Sequence, residues 1–582
     1  MPLHRPSLSL RRPLAIPRVA PNIWDLVVFA LVIGLLALIA VGGRQSVQPL
    51  AAINNTPITL DPWALPGYAL RTTLRMFAAM FVSLVVTFVF GALAAKSRRA
   101  EMVIIPLIDV CQSVPVLGFL SFTVTGFMAL FPGSVLGVEF AAIFAIFTSQ
   151  AWNMVFSFYH STKTIPRDLR DLSASLRLGA WRRFWTLEAP YAAPSLIWNA
   201  MISMSGAWFF VVASEAISVG NITVALPGVG SYVALAITRH DLRAVGWAVL
   251  TMALVILAYD QLLFRPLVAW AEKFRLEPAP GNAPAPSSWA LDFLQRTDVA
   301  RRLWRPVGVL LGSLASFRLG RPMEIAPGIA RVWESRWADA AWYVVLALAG
   351  ALAAWRTAVY IGAVVPLHEI GWTWVLGLIT LLRVIVLVAV ASALWLPIGV
   401  WVGLRPRWAA ALQPVTQFLA AFPANLLYPL VVAAVVRFRL VPDVWLSPLM
   451  ILGAQWYILF NVIAGARMFP ADLLEAAASM QVRGWAWWRK VILPGVLPSY
   501  VTGAITASGG AWNAAIVAEA ASWGSTRVEA HGLGAYIADA TGAGDLRRVV
   551  LGVAVMVVYV VVFNRLVWDP LFTAVARRLR AE

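Results

Sequence analysis

Arg75, Glu215, Arg383 and Glu519 are charged residues inside long apolar stretches of this 582-residue chain. A charge in a hydrocarbon layer is costly, so such groups face a cavity or pair with another polar group. The two glutamates are candidates for lining a translocation pathway or its outer gate. They are equally candidates for interhelical hydrogen bonds that hold a bundle together. The arginines are candidates for drawing an anion in by local charge, although snorkelling anchors are the commoner role of such residues. Trp208 and Trp512 precede the glutamates in two W-x6-E-A patterns and join the candidate pathway set. Pro115 and Pro423 are expected to kink a helix and free backbone carbonyls where a cavity can form. Nothing here suggests covalent chemistry. The five histidines show no metal-ligand spacing, and no nucleophile stands with a base. Cys111 is the only cysteine, which excludes a disulfide framework and a Cys-ligated metal. No GxxxxGK[ST] phosphate loop occurs, so the chain does not itself carry that kind of ATPase.

The elements that must position these residues are membrane helices. Apolar residues make up 60% of the chain and charged residues 13%, against about 45–50% and about 25% in soluble proteins. Apolar runs of roughly 20 residues recur, each long enough to cross a ~30 Å hydrocarbon layer. They are continuous, unlike the alternating ten-residue segments of an outer-membrane barrel. The expected fold is therefore all-α and polytopic. The net charge of +18 does not point to nucleic acid, because the basic residues gather at the ends of the apolar runs. That is where lipid head groups and topology place them.

Twelve spans are expected, at about 23–42, 72–95, 102–131, 138–160, 196–219 and 243–264, then 339–355, 374–402, 411–436, 444–465, 499–522 and 549–568. The distribution of Arg and Lys between loops puts both termini on the cytoplasmic side. Arg5, Arg11, Arg12 and Arg18 precede the first run, which reads as an uncleaved span because no clear cleavage site follows. The chain divides into a tail over 1–22, a first six-helix domain over 23–275, a linker over 276–338 and a second six-helix domain over 339–582. The linker opens with the flexible EPAPGNAPAPSS and carries an amphipathic piece around Trp304–Phe317 that suits either a membrane surface or a plain spacer.

Internal repetition is the strongest signal. At an offset of 304, Pro166 pairs with Pro470, Pro190 with Pro494, Gly206-Ala207-Trp208 with Gly510-Ala511-Trp512, and Glu215-Ala216 with Glu519-Ala520. Gly228, Gly230 and Tyr232 likewise pair with Gly532, Gly534 and Tyr536. Earlier in each half the offset is 308, pairing Arg75 with Arg383 and Pro115 with Pro423. Six spans per half make the repeats parallel, with a pathway between them as the natural consequence.

Between the fourth and fifth spans of each half runs a segment richer in polar residues, Ile165 to Pro194 and Phe469 to Pro498. Its motif resembles the EAA loop of permease subunits of ATP-binding-cassette importers. Glu475-Ala476-Ala477 and Leu493-Pro494 fit that pattern directly, and Asp171-Leu172-Ser173 with Ala189-Pro190 is a degenerate copy. The glycine expected six residues after the acidic position is Arg177 in one copy and Gln481 in the other, with Gly179 and Gly484 displaced. The resemblance covers nearly the whole chain, as two type I permease domains in tandem. The W-x6-E-A pattern and the later G-x-G-x-Y are similar to the nitrate, sulfonate and taurine branch.

This resemblance implies a bacterial inner-membrane importer subunit without catalytic residues or a cofactor of its own. Two partner ATPase subunits would carry ATP and Mg, and a periplasmic binding protein would deliver the substrate. Each EAA-like loop would form a coupling helix docked on an ATPase, with Trp181, Phe184, Trp485 and Trp488 as apolar anchors. Nitrate, bicarbonate, taurine, other sulfonates and small carboxylates all remain open as substrates. The rival reading is a twelve-helix secondary transporter driven by an ion gradient, which has no partner to dock on such loops. A membrane enzyme or scaffold would need a polar cluster or a large extramembrane domain that the sequence does not show.

Overall fold

The computed structural model describes residues 58–113, 116–219, 222–274, 288–296, 336–467, 471–523 and 526–568, with a few isolated positions besides. The expected first span, the Trp304–Phe317 piece for the most part and the start of the linker lie outside the described residues. The chain is a bundle of long helices. Hydrocarbon offers no hydrogen-bond partners, so each backbone N–H and C=O must be satisfied within its own element.

In the first half single spans run over Pro62–Lys96, Val135–Lys163, Ala180–Glu215 and Leu242–Phe274. In the second they run over Asp339–Gly362, Leu367–Gly403, Gly484–Ala518 and Leu546–Trp568. Two further spans are bent pairs: Pro406–Ala421 with Ala424–Phe438 turns by 77°, and Pro442–Leu452 with Gln455–Arg467 by 42°. Eight single spans, or ten with the bent pairs, are thus long and apolar enough to cross a membrane among the described residues. The expected third span is divided into Arg98–Ser113 and Leu120–Leu130, and Pro115 in that break lies outside the described residues. Pro423 occupies the 77° turn of the corresponding span, with φ −70° and ψ 97°. Its ring and missing N–H prevent the helix from continuing there.

Two corrections concern the fifth spans. They were expected to reach residues 219 and 522, but the helices end at Glu215 and Ala518. There the chain turns into small antiparallel hairpins, Ala216–Val219 with Ile222–Ala225 and Ala520–Trp523 with Thr526–Glu529. The hairpins reverse the chain so that Leu226 N donates to Glu215 O (2.9 Å) and Ala530 N to Glu519 O (2.8 Å). An all-α bundle therefore carries two short β elements at one end.

The helices also widen into single π turns at matching places: Phe184–Glu188 and Trp488–Ile492, then Asp260–Phe264 and Asn564–Trp568. Each ends two residues before a proline, at Pro190, Pro494, Pro266 and Pro570. A proline within a helix clashes with the carbonyl four residues earlier, which here lies inside each π turn, and the wider turn makes room for it.

The two halves are not separate in space. Val116, Val138 and Ala141 of the first half pack in one core with Ile458 and Trp512 of the second. Ala421 and Leu426 of the second half pack in the other core with Met204 and Trp208 of the first.

Candidate functional site

The four charged residues singled out by the sequence come together as two equivalent clusters. Thr72 and Arg75 lie one turn apart on the helix Leu65–Val86 and so share a face. Glu215, fully buried at the end of its helix, accepts from Thr72 Oγ1 (2.6 Å), Arg75 Nη1 (2.7 Å) and the backbone N–H of Gly230 (2.7 Å). The other side of the guanidinium grips Glu139 in a bidentate pair, Nε at 2.7 Å and Nη2 at 2.8 Å. Arg75 Nη1 also donates to Pro227 O at 3.1 Å. Such planar fork-to-carboxylate pairing is the strong form of the interaction.

The G-x-G-x-Y motif is explained by this packing. A Cβ on Gly228 would stand 2.2 Å from the Glu215 carboxyl carbon, and one on Gly230 would stand 2.1 Å from Val212 O. Only glycine lets the backbone approach the carboxylate this closely. Tyr232 closes the motif by donating its hydroxyl to Leu60 O at 3.1 Å.

The second cluster repeats the plan. Glu519 accepts from Thr380 Oγ1 (3.0 Å), Arg383 Nη1 (2.6 Å) and Gly534 N (2.7 Å). Arg383 Nη2 reaches Asp443 Oδ1 at 3.3 Å. Asp443 stands 304 residues after Glu139, so it is the repeat partner, one methylene shorter. Its remaining bonds go to His531, the backbone N–H at 2.7 Å and ring Nδ1 at 3.0 Å. Thr72, Thr380, Glu139 and Asp443 were missed in the sequence, although each pair obeys the repeat offset and each adds a polar residue to an apolar helix.

Four of the five N–H groups of Arg75 are engaged, and they tie three spans and the segment after the hairpin into one clamp. Trp208 and Trp512 are each only 1% exposed and pack in the two cores. Arg75, Glu215, Arg383, Glu519, Trp208 and Trp512 all lie outside the lining of the main chamber between the halves.

That chamber has a volume of about 210 Å³. The helix Ala189–Glu215 contributes Ser203, Phe209 and Phe210, and the helix Leu493–Ala518 contributes Thr506 and Asn513. Asn153, Tyr457 and Phe422 complete its main features. Phe422 and Ala424 flank Pro423, so the kink does open onto the chamber.

At the opposite end of the bundle from the clamps, the EAA-like segments form two nine-residue helices, Arg167–Ser175 and Ala471–Ser479. Asp171, Glu475 and Ala476 are exposed, while Ser173 and Ala477, at the same repeat position, turn inward. Both helices stop in the same way. Leu178 N donates to Ser173 O (3.2 Å) and Val482 N to Ala477 O (2.9 Å), the six-to-one bond of a Schellman ending. Arg177 (φ 48°) and Gln481 (φ 52°) hold the left-handed position of that ending. The turn expected of a glycine is therefore present, made by residues that reach it at a cost of about 1–2 kcal/mol. Gly484 (φ 61°) is left-handed as well, whereas Gly179 is extended.

The four expected anchors divide. Trp485 is 73% exposed, and Trp181 is partly buried, stacked 6.4 Å from Phe184. Phe184 is a correction: it is buried in its own half, edge-on to Phe88 at 5.6 Å. Trp488, its repeat partner, is likewise partly buried against the second core. Leu172, Leu176, Leu473 and Met480 supply exposed apolar surface instead. Pro190 and Pro494 begin the long fifth-span helices directly after the π turns.

Comparison with known proteins follows this geometry. Residues 87–264 and 396–581 each match the family model of the binding-protein-dependent transport system inner membrane component. The bicarbonate transport system permease protein of Synechococcus elongatus is 30% identical over 165 residues, 28% of this chain and 56% of that protein. The nitrate import permease protein of Leptolyngbya laminosa is 28% identical over 188 residues, 32% of this chain and 64% of that protein. The glycine betaine/proline betaine transport system permease protein of Escherichia coli is 26% identical over 223 residues, 37% of this chain and 59% of that protein. The chain thus spans between about half and two thirds of the length of these relatives. No solved structure matches.

Proposed function

Because this chain belongs to the binding-protein-dependent transport system inner membrane component family, matched twice in tandem, we propose that it is a complete translocation pathway in one polypeptide, coupled to ATP hydrolysis on partner subunits. It is a multi-pass membrane protein and an importer permease of the anion branch. The finer reading is import of a small anion across a bacterial inner membrane, with both termini cytoplasmic. A periplasmic binding protein presents the substrate at the clamp end, and two ATPase subunits dock at the other, one on each EAA-like helix.

The observation that carries this reading is the pair of equivalent nine-residue helices with the same left-handed ending. Each presents an acidic residue and exposed apolar side chains to the outside. Such a helix seats on a partner through its apolar anchors. Closure of the ATPase pair then draws the two helices together and switches a bistable bundle about the central chamber.

The test is co-expression with candidate ATPase subunits, purification of the complex, and ATP hydrolysis in liposomes with and without binding protein. Asp171→Arg together with Glu475→Arg is expected to abolish co-purification while leaving the chain folded. If no ATPase binds the wild type and transport follows a proton or sodium gradient, the chain is a secondary transporter.

A further inference from the structure

The chamber between the halves has a composition of its own. None of the described residues lining it is charged, although its cargo on the reading above is an anion. One wall is aromatic, made by Phe209, Phe210 and Phe422. Ser203, 3% exposed, is among the residues lining the same space, and its buried hydroxyl has no hydrogen-bond partner among the described residues. A buried hydroxyl without a partner is costly, about 1–3 kcal/mol, so it marks a place where something else accepts the bond.

The two halves contribute differently to these features. At the offset of 304, Phe209 corresponds to Asn513, Phe210 to Ala514 and Ser203 to Ala507. Phe209, Phe210 and the free hydroxyl therefore come from the first half and Phe422 from the second, and the chamber is asymmetric. Ser203 and Phe210 lie on one helix, two turns apart, which is about 10 Å along its axis. That separation suits the two ends of one solute.

Size narrows the ligand further. A dry apolar cavity of about 150 Å³ holds a benzene molecule, and one water occupies about 30 Å³ in the liquid. The chamber's volume of about 210 Å³ leaves most of its space empty around an inorganic ion of four atoms. It fits a ring or short hydrocarbon body with an oxygen head.

We propose that this chamber is a ligand site of one orientation, in which an apolar body rests against Phe209, Phe210 and Phe422 and an oxygen of the head group accepts from the Ser203 hydroxyl. Its ligand is an organic oxyanion carrying such a body, in preference to a compact inorganic anion. The proposal rests on the permease reading for the role of the chamber. Its chemistry follows from the wall alone. Neutral donors also suit a transit site, since they hold an oxyanion without the retention that a buried arginine would impose.

The experiment uses the full chain in lipid nanodiscs and saturation-transfer NMR with benzenesulfonate, benzoate, nitrate and bicarbonate as probes. Benzenesulfonate or benzoate is expected to give a saturable signal that neither nitrate nor bicarbonate displaces at equal concentration. Phe210→Ala, which installs the residue of the second half, is expected to weaken binding about tenfold. Ser203→Ala, which also installs the repeat partner and fills no new space, is expected to weaken it about threefold to tenfold. The absence of any saturable aromatic signal would overturn the proposal. So would displacement by nitrate or bicarbonate at equal strength, or unchanged affinity in the Ser203→Ala variant. Co-purification with ATPase subunits is read separately: a chain that binds them but fails here loses only the chamber assignment.

Discussion

The first-half clamp is sealed and the second-half clamp is open. Arg75 and Glu139 have side chains 4% and 11% exposed, while Arg383 and Asp443 are 10% and 39% exposed. A bidentate grip in the first half becomes a single 3.3 Å contact in the second, and His531 takes the place of Pro227 beside it. The opposite end of the bundle also differs. There Glu188 pairs with Lys96 (2.7 Å) and Arg183 (3.0 Å) in the first half, whereas the repeat positions in the second are Ile492, Leu404 and Trp487. The features common to both halves are those the geometry requires: the threonine, the arginine, the buried glutamate and the two close-approach glycines. The features that differ are those for which water or apolar packing substitutes. A duplicated chain thus separates the requirements of the fold from the options of each half.

The largest effect that would sharpen this contrast is removal of the sealed arginine. Arg75→Ala leaves Glu139 and Glu215 buried without a counter-charge, a loss of about 3–5 kcal/mol. Thermal unfolding of the purified chain is expected to show little folded protein. Arg383→Ala is expected to cost about half as much, because Asp443 reaches solvent. Equal losses would erase the distinction between the clamps.

The glycines test the shared part. Gly230→Ala and Gly534→Ala place a methyl 2.1 and 2.4 Å from a backbone carbonyl oxygen. Each is expected to destabilise by about 1–3 kcal/mol through overpacking, equally in the two halves. A tolerated substitution in either half would show that its backbone has room to retreat.

A smaller effect is expected at the other end. Glu188→Ile alone strands Lys96 and is expected to cost about 1–3 kcal/mol. Lys96→Leu with Glu188→Ile copies the second half at two of these three positions and is expected to be nearly neutral, since apolar groups replace a partly buried ion pair well. A double mutant no more stable than Glu188→Ile alone would mean that the two residues do not act as a pair. The smallest effect belongs to the left-handed residues: Arg177→Gly and Gln481→Gly are each expected to stabilise by up to about 1 kcal/mol. A lower melting temperature in both would show that their side chains contribute more than the turn costs.

The helical membrane fold was readable because apolar runs must become helices in hydrocarbon, and the repeat was readable from fixed offsets. The limits were local. The first hairpin strands, Ala216–Val219 and Ala520–Trp523, continue the mostly apolar composition of the spans before them, so composition alone could not mark where the helices stop. Phe184 read as an exposed anchor because its neighbours in the segment are polar, yet Phe88 and Phe158 bury it. Glu139 and Asp443 were passed over because each stands at the start of an apolar run, where a solvated acid is ordinary.

The sequence by itself determined the membrane class, the duplication, the EAA-like segments and the family, since all of these are carried by residue type and linear spacing. Only the tertiary structure decided that Arg75 meets Glu139 and Glu215, that the halves share their cores, and that an uncharged chamber lies between them. Those facts depend on which helix faces meet across 60 to 140 residues of chain. Apolar helices in lipid have no solvent-facing polar stripe to declare their faces in advance, so only packing chooses them.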